Sequence, residues 1–274
     1  MPELPEVETT KRGITPLLVN RVITKAIVHQ PQLRLSIPDE FTANIQHLKI
    51  LSVTRRSKYL LIQLESGTIM IHLGMSGHLR VDSPDKELRR HDHIEIILDN
   101  KQILRYYDPR RFGLCVYTKE APETHYLLSK LGPEPFDTQF SSAYLVRKAQ
   151  GKKQPVKTFI MNNQHVVGVG NIYASESLFL SRIHPQTPAG LLSEKDFKQL
   201  IHNIREVLQS AIAAGGTTLK DFYSTDGQPG YFAVHLKVYG REHLSCFDCS
   251  TPIKNIKISG RQSAYCPNCQ PSLF

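Results

Sequence analysis

The stretch Leu131-Gly-Pro-Glu-Pro-Phe136 separates two parts of the sequence that have different hydrophobic patterns. Its two prolines remove backbone donors and disfavour helical geometry in the residues before them. Short apolar or alternating runs precede the stretch, whereas a helical periodicity follows it. We therefore predict a domain boundary at this point, with mostly β structure before it and helices after it.

The region before the boundary is predicted to contain one N-terminal helix and then a series of short strands. An amphipathic helix is expected over residues 5–18, because its apolar residues fall on one face. The strand candidates are separated by Gly, Pro and Asp-Asn turn signals, a pattern typical of a sandwich or barrel. They begin at Arg21, Lys58, Thr68, His93 and Gln102.

The region after the boundary is predicted to be helical up to Gly215-Gly216. Residues 217–232 are rich in Thr, Ser, Asp and Gly and are expected to form a loop. A short β module with four cysteines then closes the chain. The candidate helices cover residues 141–149, 155–163, 171–181 and 193–213, and the predicted domains are 1–133, 134–235 and 236–274.

Composition and charge restrict the class of protein. The 274 residues include 34 Lys and Arg against 25 Asp and Glu, a formal charge of +9, which favours a polyanion such as nucleic acid as partner. A hydrophobic content of 40% supports a folded core and argues against disorder. The sequence has neither an apolar run long enough for a membrane span nor an apolar secretory segment, so we expect an intracellular, cytoplasmic protein.

Four cysteines near the C-terminus have the spacing of a metal site. Cys246 and Cys249 form one Cys-x-x-Cys pair, Cys266 and Cys269 form another, and sixteen residues separate the pairs. This spacing is typical of a zinc site, and two disulfides are the alternative that an intracellular location disfavours. Four thiolates complete the coordination of Zn²⁺, so the ion would be structural. A β-hairpin between the pairs would hold Arg261 at its tip.

The first residues, Met1-Pro2-Glu3, are compatible with covalent catalysis. A small second residue favours removal of Met1, which leaves Pro2 with a secondary amine. Such an amine can condense with an aldehyde carbon and form an iminium cation. Glu3 could transfer the protons that this chemistry requires. Taken alone, Pro followed by Glu is also typical of a helix start, so both interpretations stay open for this stretch.

Three segments of the β region combine cations with glycines or aromatic rings. They are Arg55-Arg-Ser-Lys58, placed just ahead of a strand, His72-Leu-Gly-Met75, and Asp108-Pro-Arg110-Arg-Phe112. Enzymes that act on a base take it out of the duplex, and apolar or aromatic side chains then fill the gap. Met75, Arg110 and Phe112 are suited to that role, although each residue taken alone is more typical of core packing or a solvated charge.

A glycine-rich turn precedes the third candidate helix. Gly168-Val-Gly-Asn171 leads directly into apolar helical residues, and Asn171 is expected to be the N-cap. The backbone N–H groups of such a turn can bind a phosphate. Lys152, Lys153 and Lys157 lie nearby in sequence and make contact with a phosphate backbone more credible.

Together these motifs resemble the bacterial formamidopyrimidine-DNA glycosylases, which are base-excision repair enzymes for oxidised purines. The resemblance extends over nearly the whole chain and ends with the four-cysteine module. Its other blocks, in order, are Pro2-Glu-Leu-Pro-Glu-Val-Glu8, Arg56-Ser-Lys58-Tyr-Leu-Leu, His72-Leu-Gly-Met-Ser-Gly77, His91-Asp-His93, Asp108-Pro-Arg-Arg-Phe-Gly113, Leu131-Gly-Pro-Glu-Pro135, Gly168-Val-Gly-Asn-Ile-Tyr-Ala-Ser-Glu176 and Val238-Tyr-Gly240.

The resemblance implies an α+β fold with three parts. An N-terminal β-sandwich is flanked by helices, a helical domain contains a helix–two-turns–helix element, and a zinc-finger β-hairpin follows. It also implies that a monomer binds double-stranded DNA containing oxidised bases or abasic sites, in the cleft between the halves.

The resemblance further implies roles for individual residues. Pro2 attacks C1′ of the damaged nucleotide, and Glu3 assists sugar-ring opening and proton transfer. Lys58 matches the proton donor for β-elimination. Arg261 matches the donor for δ-elimination, but we interpret it first as a phosphate clamp because arginine stays protonated in proteins. The DNA-contacting residues are His91, Arg110, Lys152 and Asn171, together with Met75 and Phe112.

There are two alternatives, one an enzyme of the same family and the other a protein of a different functional class. The endonuclease VIII branch of the family prefers oxidised pyrimidines, but it typically has Gly at the position of Leu4 and lacks the block Asp108–Gly113. A non-catalytic binder of damaged DNA would be free to lose Pro2, Glu3 and Lys58, all of which are present. The sequence therefore favours a purine-specific glycosylase and lyase.

Overall fold

In the computed structural model, the described residues are 2–216 and 235–272. They fall into two compact units, one formed by residues 2–130 and 214–216 and the other by residues 131–213 and 235–272. The predicted loop at 217–232 lies outside the described residues.

The first unit contains two four-stranded antiparallel sheets. In spatial order, the first sheet consists of β1 (Ile23–Val28), β6 (Asp92–Leu98), β7 (Ile103–Tyr107) and β5 (His78–Asp82). The second consists of β2 (Ile50–Arg56), β3 (Tyr59–Leu64), β4 (Thr68–His72) and β8 (Leu114–Thr118).

Alternating residues of these strands build one apolar core between the sheets. On β5 and β7, Leu79, Leu104 and Tyr106 belong to this core, whereas Arg80 and Arg105 lie on the opposite face. Successive side chains of a strand point to opposite faces, so a period of two produces one apolar and one polar surface. The predicted sandwich is therefore confirmed, with a charged outer face on its first sheet.

Two helices accompany the sandwich, α1 (Leu4–Leu18) and the short α2 (Phe41–Ile45). Val7, Ile14 and Leu18 of α1 are part of the sandwich core. The predicted elements of this region did not include α2, β2 or β5.

The segment around Lys58 lies just ahead of a strand, β3, as predicted. Arg55 and Arg56 are in addition the last residues of β2, a strand that was not predicted. Ser57 and Lys58 make the tight turn into β3, and Ser57 has a φ of 56°. A residue in this left-handed region reverses the chain, so Lys58 lies at the end of a β-hairpin.

The second unit is built from four helices, a short 3₁₀ turn and one hairpin. Ser193 and Asp196 cap the last helix, since each backbone N–H donates to the other's side chain, at 2.9 and 3.2 Å. This reciprocal arrangement is a capping box. The helices are α3 (Ser142–Ala149), α4 (Val156–Ile160), α5 (Asn171–Leu180) and α6 (Glu194–Ala213), and the hairpin pairs β9 (Lys254–Ile258) with β10 (Arg261–Tyr265).

Across the described part of the chain, no helix combines the length and the apolar character that a bilayer span requires.

Candidate active site

The N-terminal residues are buried at the start of α1. Pro2 precedes the helix, and Pro5 is the proline in its first turn, so Pro2 is not the helix-starting residue. Glu3 is the N-cap and is only 1% exposed. Its backbone N–H donates to Glu6 Oε2 at 2.8 Å, which fixes the chain just before the helix. A carboxylate here benefits from the positive end of the helix dipole.

Gly216, which is distant in the sequence, lies close to Glu6 near the N-terminus. A Cβ on Gly216 would lie 3.1 Å from Glu6 Oε1, and Gly216 has a φ of 86°. Glycine is suited to this position because it tolerates both the left-handed backbone and the close contact. No local sequence pattern predicted this proximity.

An ion pair connects α1 with the turn that carries Lys58. Arg55 donates through Nε to Glu8 Oε2 at 3.2 Å and through Nη1 to the Ser57 carbonyl at 2.7 Å. Glu8 lies on α1, so one guanidinium links the helix to the β2–β3 turn. Lys58 itself is buried. The structure thus places Pro2, Glu3 and Lys58 on connected elements of one unit.

His72, at the end of β4, lies in a positively charged environment that includes Lys58. Burial lowers the pKa of His72 to about 3, and the charges of Arg34 and Lys58 add to this effect. Its Nδ1 accepts the Gly74 N–H at 2.9 Å, so the neutral ring carries its proton on Nε2. Such a donor among cations suits an anionic ligand. The sequence analysis quoted His72 only as part of a motif.

We expect the buried histidines to make the protein less stable in acid. Burial, followed by the Arg80 charge, lowers the pKa of His78 to about 4, below the usual 6.5. At pH values between these two, His78 is protonated in the unfolded chain but neutral in the folded chain. The free energy of unfolding should therefore fall as pH drops below 6.5, by up to about 1.4 kcal/mol per pH unit for each such histidine. The free energy of unfolding, measured with urea at pH 7, 6 and 5, should decline less for His78→Gln than for the unsubstituted protein. An equal decline in both proteins would contradict this expectation.

Asp108 connects the two loops that carry the predicted wedge residues. Its carboxylate accepts hydrogen bonds from Ser76 Oγ at 2.7 Å, Tyr106 OH at 3.1 Å and the Gly113 N–H at 2.9 Å. Its side chain is fully buried. Ser76 is 32 positions from Asp108 in the sequence, whereas Gly113 is only five positions away, so one carboxylate sets the relative position of residues 73–77 and 108–113.

The same two loops touch through their backbones. A Cβ on Gly74, which has a φ of 66°, would meet the Gly113 nitrogen at 2.4 Å. Met75 and Phe112 remain 37% and 46% exposed, although both are apolar. The Arg110 guanidinium lies 4.9 Å from the centroid of the Phe112 ring. The structure thus presents all three predicted wedge residues on adjoining loops.

His91 lies beside this arrangement. Its carbonyl accepts the Asp108 N–H at 3.1 Å, and its ring centroid is 5.7 Å from that of Tyr107. His93, the other histidine of the motif, bonds through Nε2 to the Asp108 carbonyl at 2.7 Å. The backbone of Asp108 therefore contacts both histidines.

We expect Asp108→Asn to uncouple the two loops. An amide offers one acceptor oxygen instead of two, so buried donors lose partners at a cost of about 1–3 kcal/mol. For the activity that the sequence resemblance implies, excision of a damaged base should decline more than cleavage at a preformed abasic site, which has no base to replace. Paired assays on the two duplexes measure this, with the exposed Asp99→Asn as control. Equal losses on both substrates would refute the expected role.

In the second unit, Asn171 has a different position from the one predicted. Gly170 is the N-cap and Asn171 is the first helical residue. The Asn171 Oδ1 accepts a hydrogen bond from Lys157 Nζ at 2.8 Å instead of capping the helix. The prediction of an Asn171 N-cap was wrong, because a long-range lysine competes for the side-chain oxygen.

Lys157 is a buried cation that links three elements. It is 1% exposed, and besides Asn171 its ammonium donates to Ser263 Oγ at 2.8 Å and the Gln262 carbonyl at 3.1 Å. From the sequence, Lys157 was grouped with Lys152 and Lys153 as lysines near the glycine-rich turn that favour a phosphate contact. The structure shows instead that it joins α4, the start of α5 and β10. Lys152, by contrast, is exposed in the turn after α3.

Replacing Lys157 should weaken the DNA binding that the sequence resemblance implies, without affecting the predicted nucleophile Pro2. In Lys157→Met, Asn171 and the hairpin lose a shared donor, and we expect roughly a tenfold loss of affinity, about 1.4 kcal/mol. Fluorescence anisotropy with an abasic-analogue duplex gives the affinity. The exposed Lys195→Met has the same charge change and should bind normally; equal affinity of both variants would contradict this expectation.

The four C-terminal cysteines converge. Their sulfur atoms all lie within 4.8 Å of one another, and the cysteines are free thiols and not disulfides. Such a group can hold one metal ion. The Cys266 residue directly follows β10, so the cluster anchors the base of the hairpin. Cys115 is a separate buried thiol in β8 whose pKa is raised by burial, as expected for an inert side chain.

The opposite end of the hairpin carries Arg261, the first residue of β10. Its side chain is exposed, next to the turn at Ser259-Gly260. Ser259 Oγ lies 3.1 Å from Thr158 Oγ1, so the tip is also tied to α4. Arg261 is thus an exposed cation on a turn held from both sides.

Glu176 attaches the segment that leads into the cysteine module. Its buried carboxylate on α5 accepts the backbone N–H groups of Lys237, Val238 and Tyr239 at 2.8–3.0 Å. Burial raises the pKa of this carboxyl even though the three bonds oppose the effect. Both partners belong to motifs quoted from the sequence, but only the fold shows that they meet.

The sandwich with its buried Pro2-Glu3 start and the helical unit with its four-cysteine hairpin agree with the class of protein that the sequence resembles, the DNA glycosylases. The chain belongs to the formamidopyrimidine-DNA glycosylase family. The model of the family's N-terminal domain matches residues 1–115, and the model of its H2TH domain matches residues 131–223. The predicted resemblance and fold class are confirmed.

Relatives match over almost the full length. The formamidopyrimidine-DNA glycosylase of Legionella pneumophila strain Paris is 53% identical over 271 residues, 99% of each chain, and that of Pasteurella multocida strain Pm70 is 50% identical, with 98% and 99% covered. Among solved structures, MutM (Fpg) of Thermus thermophilus has a TM-score of 0.88 at 36% identity, covering 98% of both chains. Lactococcus lactis Fpg in complex with abasic-site DNA has a TM-score of 0.91 at 30% identity, covering 98% and 100%.

Proposed function

We propose that this protein excises oxidised purines from DNA and then cleaves the strand, with Pro2 as the covalent nucleophile. Family membership confirms the predicted kind of enzyme, a bifunctional DNA glycosylase and abasic-site lyase. The observation that carries the proposal is the 53% identity to a formamidopyrimidine-DNA glycosylase over 99% of both chains. Pro2, Glu3 and Lys58 are buried in the unit matched to that family's N-terminal domain.

The chemistry begins at the amine of Pro2. This nitrogen attacks C1′ of the damaged nucleotide, the base departs, and the sugar remains bound as an iminium. Glu3 is placed at the α1 N-terminus to transfer protons during ring opening. The iminium acidifies the C2′ hydrogens, so β-elimination and then δ-elimination cleave the strand. Lys58 and Arg261 are the residues proposed for those two steps, with Arg261 also clamping a phosphate.

Double-stranded DNA is the proposed partner of a monomer that works in the bacterial cytoplasm, at the nucleoid. Similar Lactococcus lactis structures are complexes with DNA containing Fapy-dG or an abasic site. The formal charge of +9 supports the same partner here. The first unit would contribute Met75, His91, Arg110 and Phe112, and the second Lys152, Asn171 and Arg261.

Zn²⁺ is the ion we propose for the cysteine cluster. Thiolates are soft ligands that Zn²⁺ prefers in tetrahedral structural sites. The sulfur spacing of at most 4.8 Å is compatible with four ligands around one ion. Because all four positions would be protein ligands, the ion would hold the hairpin and take no part in the reaction.

Borohydride trapping tests the proposed function. Duplexes carrying 8-oxoguanine or thymine glycol are incubated with the protein and reduced, and the adduct is digested and sequenced by mass spectrometry. We expect an adduct on Pro2 and faster excision of 8-oxoguanine. An adduct on an internal lysine would overturn the assignment of the nucleophile. A preference for thymine glycol would support the pyrimidine branch, and the absence of any adduct would support a non-catalytic binder.

A further inference from the structure

A network of buried ions covers the outer face of the first sheet. Arg80 and Arg105 are 5% and 3% exposed and lie opposite each other on β5 and β7. Arg80 donates to Asp92 Oδ1 and to Asp82 Oδ2, both at 2.6 Å. Arg105 donates to Glu95 Oε2 at 2.9 Å and to Asp82 Oδ2 at 3.0 Å. Asp82 therefore bridges the two guanidinium groups.

This network holds the backbone of residues 86–91, which we call the basic strap. Arg105 Nη1 donates to the carbonyls of Lys86 and Glu87 at 2.9 and 3.2 Å. At the other end, Asp92 Oδ2 accepts the Arg89 N–H at 2.7 Å. An exposed loop is thus fastened at two points by side chains that are themselves buried.

Stability alone does not explain this arrangement. Buried ion pairs lose much of their attraction to desolvation, so hydrophobic residues would stabilise the sheet as well or better. What the ions provide is a defined geometry for the strap. Arg89 and Arg90 are exposed on it, and within residues 2–216 and 235–272 neither guanidinium forms an ion pair. His91, matched to a DNA-contacting position, is the next residue.

We propose that the basic strap is a further DNA-phosphate contact, made by Arg89 and Arg90 beside His91, and that Arg80, Asp92 and Arg105 are its positioning residues. The inference rests on the proposed function, since it takes DNA as the partner. Arginine suits the role because its planar fork binds phosphate oxygens in a fixed geometry. A strap held rigidly would lose less conformational entropy on binding than a mobile one.

Salt dependence of binding tests the contact. The double variant Arg89→Gln, Arg90→Gln is titrated with an undamaged duplex at several salt concentrations. Each lost phosphate contact should reduce the slope of log K against log salt by about 0.9. The double variant Lys101→Gln, Lys119→Gln has the same charge change on exposed residues of the same unit and should keep the slope. Equal slopes for both double variants would overturn the proposal.

Asp92→Asn tests the positioning role. We expect the slope to decrease as in the arginine variant, KM to rise on damaged DNA, and kcat to stay unchanged. Combining Asp92→Asn with the arginine substitutions should add no further loss of affinity. Asp82→Asn, which leaves Asp92 in place, is a milder second variant if Asp92→Asn folds poorly. A lower melting temperature with an unchanged slope in both would show a purely structural network.

The binding measurements need no base excision, so they separate this inference from the proposed function. Altered salt slopes together with an absent Pro2 adduct would leave the strap as a DNA contact and overturn the catalytic assignment. Normal salt slopes together with a Pro2 adduct would overturn the strap as a DNA contact and support the catalytic assignment.

Discussion

Protein that retains Met1 should have almost no glycosylase or lyase activity. Retention turns the Pro2 nitrogen into a tertiary amide that has neither a proton nor a nucleophilic lone pair. Loss of a covalent nucleophile costs on the order of 10⁴-fold or more in rate. The Met1-retaining form is obtained by expression with methionine aminopeptidase inhibited, and excision and borohydride trapping are then measured on the 8-oxoguanine duplex.

The same sample supplies its own control. Treatment with purified aminopeptidase removes Met1 and should restore activity in a chain that is otherwise identical. Pro2→Gly keeps an N-terminal amine and should therefore retain weak trapping. Full turnover by the untreated, Met1-retaining protein would refute the role of Pro2.

Removal of the proposed Zn²⁺ should weaken DNA binding before it affects the N-terminal amine. Without the ion, the thiols of Cys246, Cys249, Cys266 and Cys269 no longer hold the base of the hairpin. Binding of a structural Zn²⁺ is worth about 10–16 kcal/mol in small zinc modules, so its loss should unfold this one. We expect DNA affinity to fall by roughly 100-fold, about 2.7 kcal/mol, as Arg261 loses its fixed position.

Metal-free protein is prepared in two ways, by the substitution Cys249→Ser and by treatment with a chelator. DNA affinity is measured by anisotropy, and the Pro2 amine is followed by its reductive alkylation with a small aldehyde. Alkylation should proceed at the normal rate in both samples. Cys115→Ala, which removes a thiol outside the cluster, should keep both the metal and the DNA affinity. Unchanged DNA binding by the metal-free protein would contradict the proposed structural role.

Local sequence was sufficient wherever neighbouring residues determine the conformation. Ser193 and Asp196 lie three residues apart, so their capping box follows from helix geometry alone. The apolar runs of the first 118 residues predicted a sandwich or barrel, because a strand with one buried face must alternate, and the family resemblance selected the sandwich. The two Cys-x-x-Cys pairs predicted the cluster, since each pair brings two sulfurs together within one turn.

Contacts between distant residues were decided by the tertiary structure. Ser76 and Asp108 are 32 positions apart, and Lys157 and Ser263 are 106 apart, yet each pair is hydrogen-bonded. A lone Asp or Lys in a sequence is far more often solvated than buried, so neither role had a local signal. Asn171 shows the same principle, because its local preference for capping yields to a lysine from another helix.

The sequence by itself determined the family, the element types and the residues capable of the chemistry, since these depend on residue identity and short-range spacing. Only the tertiary structure decided which buried ions hold those residues in place. Burial of a charge is tolerated where other parts of the chain supply its partners, and such partners appear only once the chain has folded.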